Sequence, residues 1–461
     1  MPLNKLENFI KNTEGRILYV KSDGGVLPEE EVLTRPVGLI RSGPAAGTYG
    51  TLHMCNLMGI KNAIAFDMGG TSAEASLIRD GEIELADEVE LKHELKIRVP
   101  TVYFTLIGAG GGSIAWMDSD DVFRVGPRSA GADPGSACYG KGGVEPTVTD
   151  ANLLLGIIDP TYFLGGKLQL HKPLSQNAFT SLSTRLNLTP VAVAEGTRKV
   201  IISNMAQVLR QLTLERGIDP REFTMVAYGG ASGQHIVHLA SELNIKKVII
   251  PNYPAHHSAF GAVAASLTYT TSKTLWIKLS DINSKNIETD FRTLENEIYN
   301  TIGKYSQENN LRIIRRIDMR YEGQWHEVTI QVPNELSSKS LDEIRELFDR
   351  THREKYGVEH YDLSVELVTI RSTGIIAVSP PHIKELENIN YSKAKVKSRR
   401  VITIGGKSQE VNIYERSTLS LGDTIYGCCI IEEPSTTILI PEGCTAEVDK
   451  YGNVLIEINM S

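Results

Sequence analysis

The chain has 461 residues, 48 Lys and Arg against 56 Asp and Glu, and a net charge of −8, a balance that argues against nucleic acid or an anionic membrane as its main partner. Its five cysteines (Cys55, Cys138, Cys428, Cys429, Cys444) are odd in number and none stands at zinc-type spacing, which fits a reducing compartment. Met1-Pro2-Leu3-Asn4-Lys5 begins no signal peptide and no apolar run approaches the ~18 residues of a membrane span, so the expectation is a soluble cytoplasmic protein with room for two or three domains.

Leu3, Leu6 and Ile10 recur at helical spacing over residues 3–14, and Arg16-Ile17-Leu18-Tyr19-Val20 reads as a strand. A domain rarely opens on the second half of a strand–helix unit, so a preceding segment is expected. Ser42-Gly43-Pro44-Ala45-Ala46-Gly47 leads into a small-residue helix ending near Gly59, readable as an anion site or as close helix packing.

Ile64-Ala65-Phe66-Asp67-Met68-Gly69-Gly70-Thr71-Ser72 runs from one apolar strand into a turn, and Ala73-Glu74-Ala75-Ser76-Leu77-Ile78 leads out to the Asp80-Gly81 pair. This is a strand hairpin. Gly69 and Gly70 are expected at φ > 0, lending N–H groups to an anion, with Thr71 and Ser72 adding hydroxyls. Asp67 would repel phosphate alone but can hold hydrated Mg²⁺ against it, so a metal–polyphosphate is expected. An ordinary capped Gly-Gly hairpin is the other reading.

Residues 97–107 are strand-like and enter Gly108-Ala109-Gly110-Gly111-Gly112-Ser113, where three glycines in a row imply close approach of a ligand or another backbone. The glycine-rich segment 126–150 has the length of a site-lining loop, and Thr149 or Asp150 reads as a helix cap. Residues 190–216 form a long amphipathic helix closed by Gly217. Phe223-Thr224-Met225-Val226-Ala227-Tyr228, Gly229-Gly230 and a helix from Gln234 make a strand–glycine–helix corner suited to a base or ribose. His235, His256 and His257 could meet at a metal, at a spacing that fits no standard ligand pattern. Beyond residue 270, strands at 320–332, a helix at 341–356 ended by Gly357, and short strands over 400–461 read as a separate α+β, β-rich domain with a linker near 380–398.

Taken together, residues 67–72, Ile107-Gly108-Ala109-Gly110-Gly111-Gly112-Ser113-Ile114-Ala115, 125–135 (Val125-Gly126-Pro127-Arg128 onward) and Glu145-Pro146-Thr147-Val148-Thr149-Asp150-Ala151-Asn152 resemble the hydantoinase A / 5-oxoprolinase family. So do Leu209-Arg210-Gln211-Leu212-Thr213-Leu214-Glu215-Arg216-Gly217, Tyr228-Gly229-Gly230, Arg320-Tyr321-Glu322-Gly323-Gln324 and His352-Arg353-Glu354-Lys355-Tyr356-Gly357. The resemblance implies an α/β fold: an actin/Hsp70/sugar-kinase-like (ribonuclease H-like) ATPase half over 1–270 and a C-terminal α+β, β-rich domain over 271–461. It implies ATP and Mg as cofactors, a small cyclic amide or imide as substrate, and activation of its carbonyl oxygen by phosphorylation.

With that resemblance, the catalytic candidates are Asp67 and Thr71, Asp67 holding Mg directly or through water. The nucleotide-binding candidates are Gly69, Gly70, Thr71, Ser72, Gly110, Gly111, Gly112, Ser113, Gly229 and Gly230. Expected partners are a hydantoinase B-like subunit and a separate chain carrying the family's N-terminal half, which has its own Asp-Gly-Gly-Thr hairpin. The alternatives are an acetone- or acetophenone-type carboxylase subunit, or an incomplete fragment acting in assembly. Two local departures stand out: Tyr103 and Thr105 occupy positions where the family often has Asp and His, and Ala231-Ser232-Gly233-Gln234-His235 lacks the usual Gly-Pro.

Overall fold

A computed structural model describes residues 17–459 apart from 91–95, 307–309, 337–339, 359, 361, 379, 381 and 387–393; the helix expected over 3–14 and much of the expected linker lie outside the described residues. The chain forms two compact units, Met1–Ile40 with Ala265–Pro380, and Arg41–Ala264 with Pro381–Ser461. A single cut at residue 270 therefore does not describe the packing.

The larger unit is built on a sheet whose strands run in the order Thr424–Tyr426, Cys444–Val448, Val454–Ile458, Lys247–Ile250, Thr224–Tyr228, Ala63–Met68, Ala73–Arg79, Glu82–Ile83, with Thr105–Ile107 also pairing Ala73–Arg79. The three central strands are parallel, Ala65 opposite Val226 and Val226 opposite Ile249. Ile64, Phe66, Met225, Val226 and Ala227 are all buried, as continuous apolar runs covered on both faces should be.

Strand Val454–Ile458, expected in a separate C-terminal domain, instead joins this sheet, pairing antiparallel with Lys247–Ile250. The reason is an open edge. Lys247–Ile250 carries buried Val248 and Ile250, and the alternating Val454, Ile456 and Ile458 cover it while satisfying its backbone groups.

Helix Pro190–Leu212 buries Val193, Ala194, Thr197, Ile201, Met205, Leu209 and Leu212, the three-to-four spacing of a core-facing stripe. Thr189 accepts a bond from the Ala192 N–H at its start, and Gly217 at φ 73 ends the short turn that follows. Helix Ser42–Met58 ends at left-handed Gly59. Its glycines serve close packing: a Cβ at Gly50 would lie 3.1 Å from the Gly261 Cα, and one at Gly47 would lie 2.6 Å from the Tyr228 hydroxyl.

The smaller unit is a six-stranded sheet in the order Leu18–Val20, Val26–Pro28, Leu267–Lys278, Val365–Ile376, Leu311–Tyr321, Val328–Val332. Helix Ser284–Ile302 packs on it through Ile287, Phe291 and Leu294, and helix Ser340–Tyr356 through Ile344 and Phe348. Arg315 is fully buried in the sheet, its guanidinium held by Glu288 and Glu295, each at 2.6 Å.

Candidate functional site

The hairpin is as expected in register, Asp67 opposite Glu74 and Met68 opposite Ala73, and the Asp80 and Gly81 turn has φ 54 and 81. Its tip differs from expectation. Neither Gly69 nor Gly70 has positive φ; the turn closes through a bond from the Gly69 N–H to the Ser72 carbonyl at 3.1 Å. A Cβ at Gly70 would meet nothing within 4 Å.

Behind this turn lies the triple-glycine loop, whose N–H groups are already used. Gly111 donates to the Gly69 carbonyl at 3.1 Å and Gly112 to the Gly70 carbonyl at 2.6 Å, while the Gly110 N–H donates to Ser113 Oγ at 2.9 Å. A Cβ at Gly110 would stand 2.6 Å from the Thr71 carbonyl carbon. Of the two readings of this loop, close approach of another backbone is what Gly110 and Gly112 show. Gly111 packs instead against Thr149, whose Oγ1 donates to the Gly111 carbonyl at 2.8 Å.

The hairpin tip opens on a cavity of about 560 Å³, lined by Gly69, Gly70, Thr71, Gly111, Gly131, Ala132, Tyr139, Lys141, Thr149, Gly230, Ala231 and Gln234 on one side. Ile158, Phe163, Leu164 and Leu168 give it an apolar wall, and residues 432–437 close it. The size lies in the range of small-molecule sites. Gly69, Gly70, Thr71, Gly111 and Gly230 are thus brought together; Asp67, Ser72, Gly110, Gly112, Ser113 and Gly229 are not in the wall.

Asp67 sits beside it, in a small hollow with Glu74, Thr48, Ser76 and Tyr228 under helix Ser42–Met58. Burial pushes the Asp67 carboxyl up to about 6. Burial and then the Asp67 charge push Glu74 up to about 7, against the pull of Arg41. Tyr228 is raised well above its usual value by burial and by the same two carboxylates. Gly229, at φ 86, is required here, since a Cβ would strike Asp67 Oδ1 and stand 2.5 Å from the Met68 carbonyl oxygen.

The second corner is locked by the C-terminal hairpin of Cys429–Glu433 and Thr436–Ile440: Thr436 Oγ1 donates to the Gly230 carbonyl at 2.9 Å. Sequence reasoning missed residues 432–437 because it assigned them to another domain; Pro434-Ser435 between two β-branched runs is the turn signal that was there to read. Lys141 was missed as well.

Asp150, expected as a cap, is the N3 residue of a capping box with Thr147. It is fully buried and also accepts bonds from the Ala137 and Cys138 N–H groups at 3.1 and 2.8 Å and from Ser175 Oγ at 2.7 Å. The histidines do not converge. His235 Nε2 lies 3.1 Å from Asn152 Nδ2 and His257 Nε2 lies 3.1 Å from Thr51 Oγ1, and burial lowers both, His257 to about 3. Among the described residues no group of three metal-ligating side chains occurs. No described helix is long and apolar enough to cross a membrane.

Comparison with known proteins gives the geometry a setting. The family model Hydantoinase/oxoprolinase matches residues 1–271, and Hydantoinase/oxoprolinase C-terminal domain matches residues 280–458. The caprolactamase subunit alpha of Pseudomonas jessenii is 32% identical over 94% of this chain and 63% of its own length. An uncharacterised protein of Methanocaldococcus jannaschii is 35% identical over 98% of this chain and 68% of its own. The crystal structure of the ATP-dependent caprolactamase from Pseudomonas jessenii superposes with a TM-score of 0.83 at 30% identity, covering 99% of this chain and 69% of that one. The chain thus spans about two thirds of the length of these relatives. Its mixed α/β architecture is theirs, and the chain belongs to the hydantoinase/oxoprolinase family.

Proposed function

We propose that this chain is the nucleotide-holding portion of an ATP-dependent hydrolase of cyclic amides, working with partner polypeptides. The observation that carries the reading is the convergence of two glycine turns, residues 69–71 and 230–231, on one cavity in a chain of this family. The apolar wall of Ile158, Phe163, Leu164 and Leu168 suits a base, and the open space over Gly70 suits phosphates. Thr71 offers a hydroxyl there. Asp67 and Glu74 stand outside the wall in a hollow with no room for a water molecule, which does not fit a hydrated Mg²⁺ between them. Bound ATP supplies the phosphoryl group that activates a carbonyl oxygen; the chain's own residues orient it and balance its charge.

Calorimetric titration of MgATP into the purified chain, followed by phosphate-release assays with caprolactam, hydantoin and 5-oxoproline in the presence of partner polypeptides, tests the proposal. Micromolar binding and amide-stimulated phosphate release are expected. Absence of nucleotide binding with and without partners would overturn it.

A further inference from the structure

We propose that Lys141 is the residue that meets the phosphate charge of the ligand in this cavity, an inference that rests on the nucleotide reading above. The first ground is charge. The charged side chains lining the cavity are Lys141, Asp159, Glu432 and Glu433, so a polyphosphate faces three carboxylates and one cation.

The neighbouring cations are engaged elsewhere. Lys397 donates to Glu415 at 2.7 Å and Glu432 at 3.0 Å, Arg400 holds Asp159 and Glu432 at 2.9 Å each, and Arg416 lies 3.5 Å from Glu433. Lys141 makes no hydrogen bond or ion pair with a described residue. It is the cation left to answer an entering anion.

The second ground is how Lys141 is mounted. Gly140 and Gly142 flank it at φ 70 and 94, conformations an L side chain rarely takes. A Cβ at Gly140 would stand 2.9 Å from the His171 ring, and one at Gly143 would stand 3.2 Å from the Ala137 nitrogen. Just upstream, the buried Asp150 carboxylate holds the Ala137 and Cys138 N–H groups, and the His171 N–H donates to the Cys138 carbonyl at 2.8 Å. The backbone under Lys141 is braced while its side chain reaches freely, as a charge that must meet a mobile phosphate chain requires.

The test compares wild type with Lys141→Met and Lys141→Arg in the full chain, titrating MgATP and adenosine separately and checking thermal unfolding. One charged phosphate contact corresponds to a roughly 10- to 100-fold change in affinity. Lys141→Met should lose MgATP affinity by that factor with adenosine affinity and melting temperature unchanged, and Lys141→Arg should restore most of it. Equal MgATP affinity in wild type and Lys141→Met overturns the proposal, as does an equal loss for adenosine, which would mark a purely structural loop. A wild type that binds neither probe, with and without partner polypeptides, overturns the nucleotide reading itself, and this inference with it.

Discussion

Asp67 and Glu74 are register partners across the hairpin, and both carboxyls are raised, Asp67 to about 6 and Glu74 to about 7. Two acids this close and this buried do not both ionise easily, and Arg41 offsets only part of the cost.

The first prediction concerns pH. Both values lie above the usual 3.8 and 4.5, so between about pH 4 and pH 7 the folded chain holds more protons than the unfolded one. Stability falls as pH rises through that window, and the loss is complete above it. Glu74→Gln should therefore gain on the order of 1–2 kcal/mol over wild type at pH 8, the full shift being discounted for partial exposure. At pH 4 the gain should vanish. Thermal unfolding at both pH values decides it; a difference independent of pH would show that Glu74 is not proton-linked to folding.

Gly229 and Gly70 should respond in opposite ways. Gly229→Ala combines φ 86 with a clash on Asp67 and Met68 and should lose more than about 2 kcal/mol of stability. Gly70→Ala has open space and ordinary φ, so its fold should stay within about 1 kcal/mol of wild type. Its MgATP affinity should fall if a ligand occupies that space. Urea unfolding with nucleotide titration separates the two, and full affinity in Gly70→Ala would place the ligand elsewhere.

Asp150→Ala should be among the most damaging single changes, costing about 3–5 kcal/mol, because it leaves N–H groups of Ala137, Cys138 and Thr147 and the Ser175 hydroxyl without their acceptor. Asp150→Asn should rescue only part, since an amide presents N–H groups where donors already point. A denaturant midpoint unchanged in Asp150→Ala would contradict this account.

Removing residues 444–461 should expose the edge of Lys247–Ile250 and its buried Val248 and Ile250. The expected product is an aggregating chain by size-exclusion chromatography, because an uncovered apolar strand edge templates association. A monomeric, cooperatively unfolding product would show the edge to be self-sufficient.

What was legible in the sequence was local. Asp80-Gly81, Gly217 and Gly357 mark their turns and caps through chemistry contained in a few residues, and the 190–212 helix declares itself by spacing. The pairing of Val454–Ile458 with Lys247–Ile250 spans some two hundred residues, and alternation alone names no partner. Nor could the sequence separate a glycine opening space for a ligand from one admitting another backbone: Gly70 and Gly112 read alike, yet one faces the cavity and the other donates to the Gly70 carbonyl.

The order in which the cavity wall is made has its own consequence. Its first part is residues 69–71 and its last is residues 432–437, with the whole segment Ala265–Pro380 belonging to the other compact unit between them. During synthesis the hairpin, the glycine corner and the Lys141 loop all emerge long before the strand pair that closes them. Until then Gly230 lacks the Thr436 hydroxyl on its carbonyl. A nascent chain that has passed Gly230 but not residue 437 carries every glycine of the site and no enclosed site, so ligand binding waits on the strand pair that supplies residues 432–437.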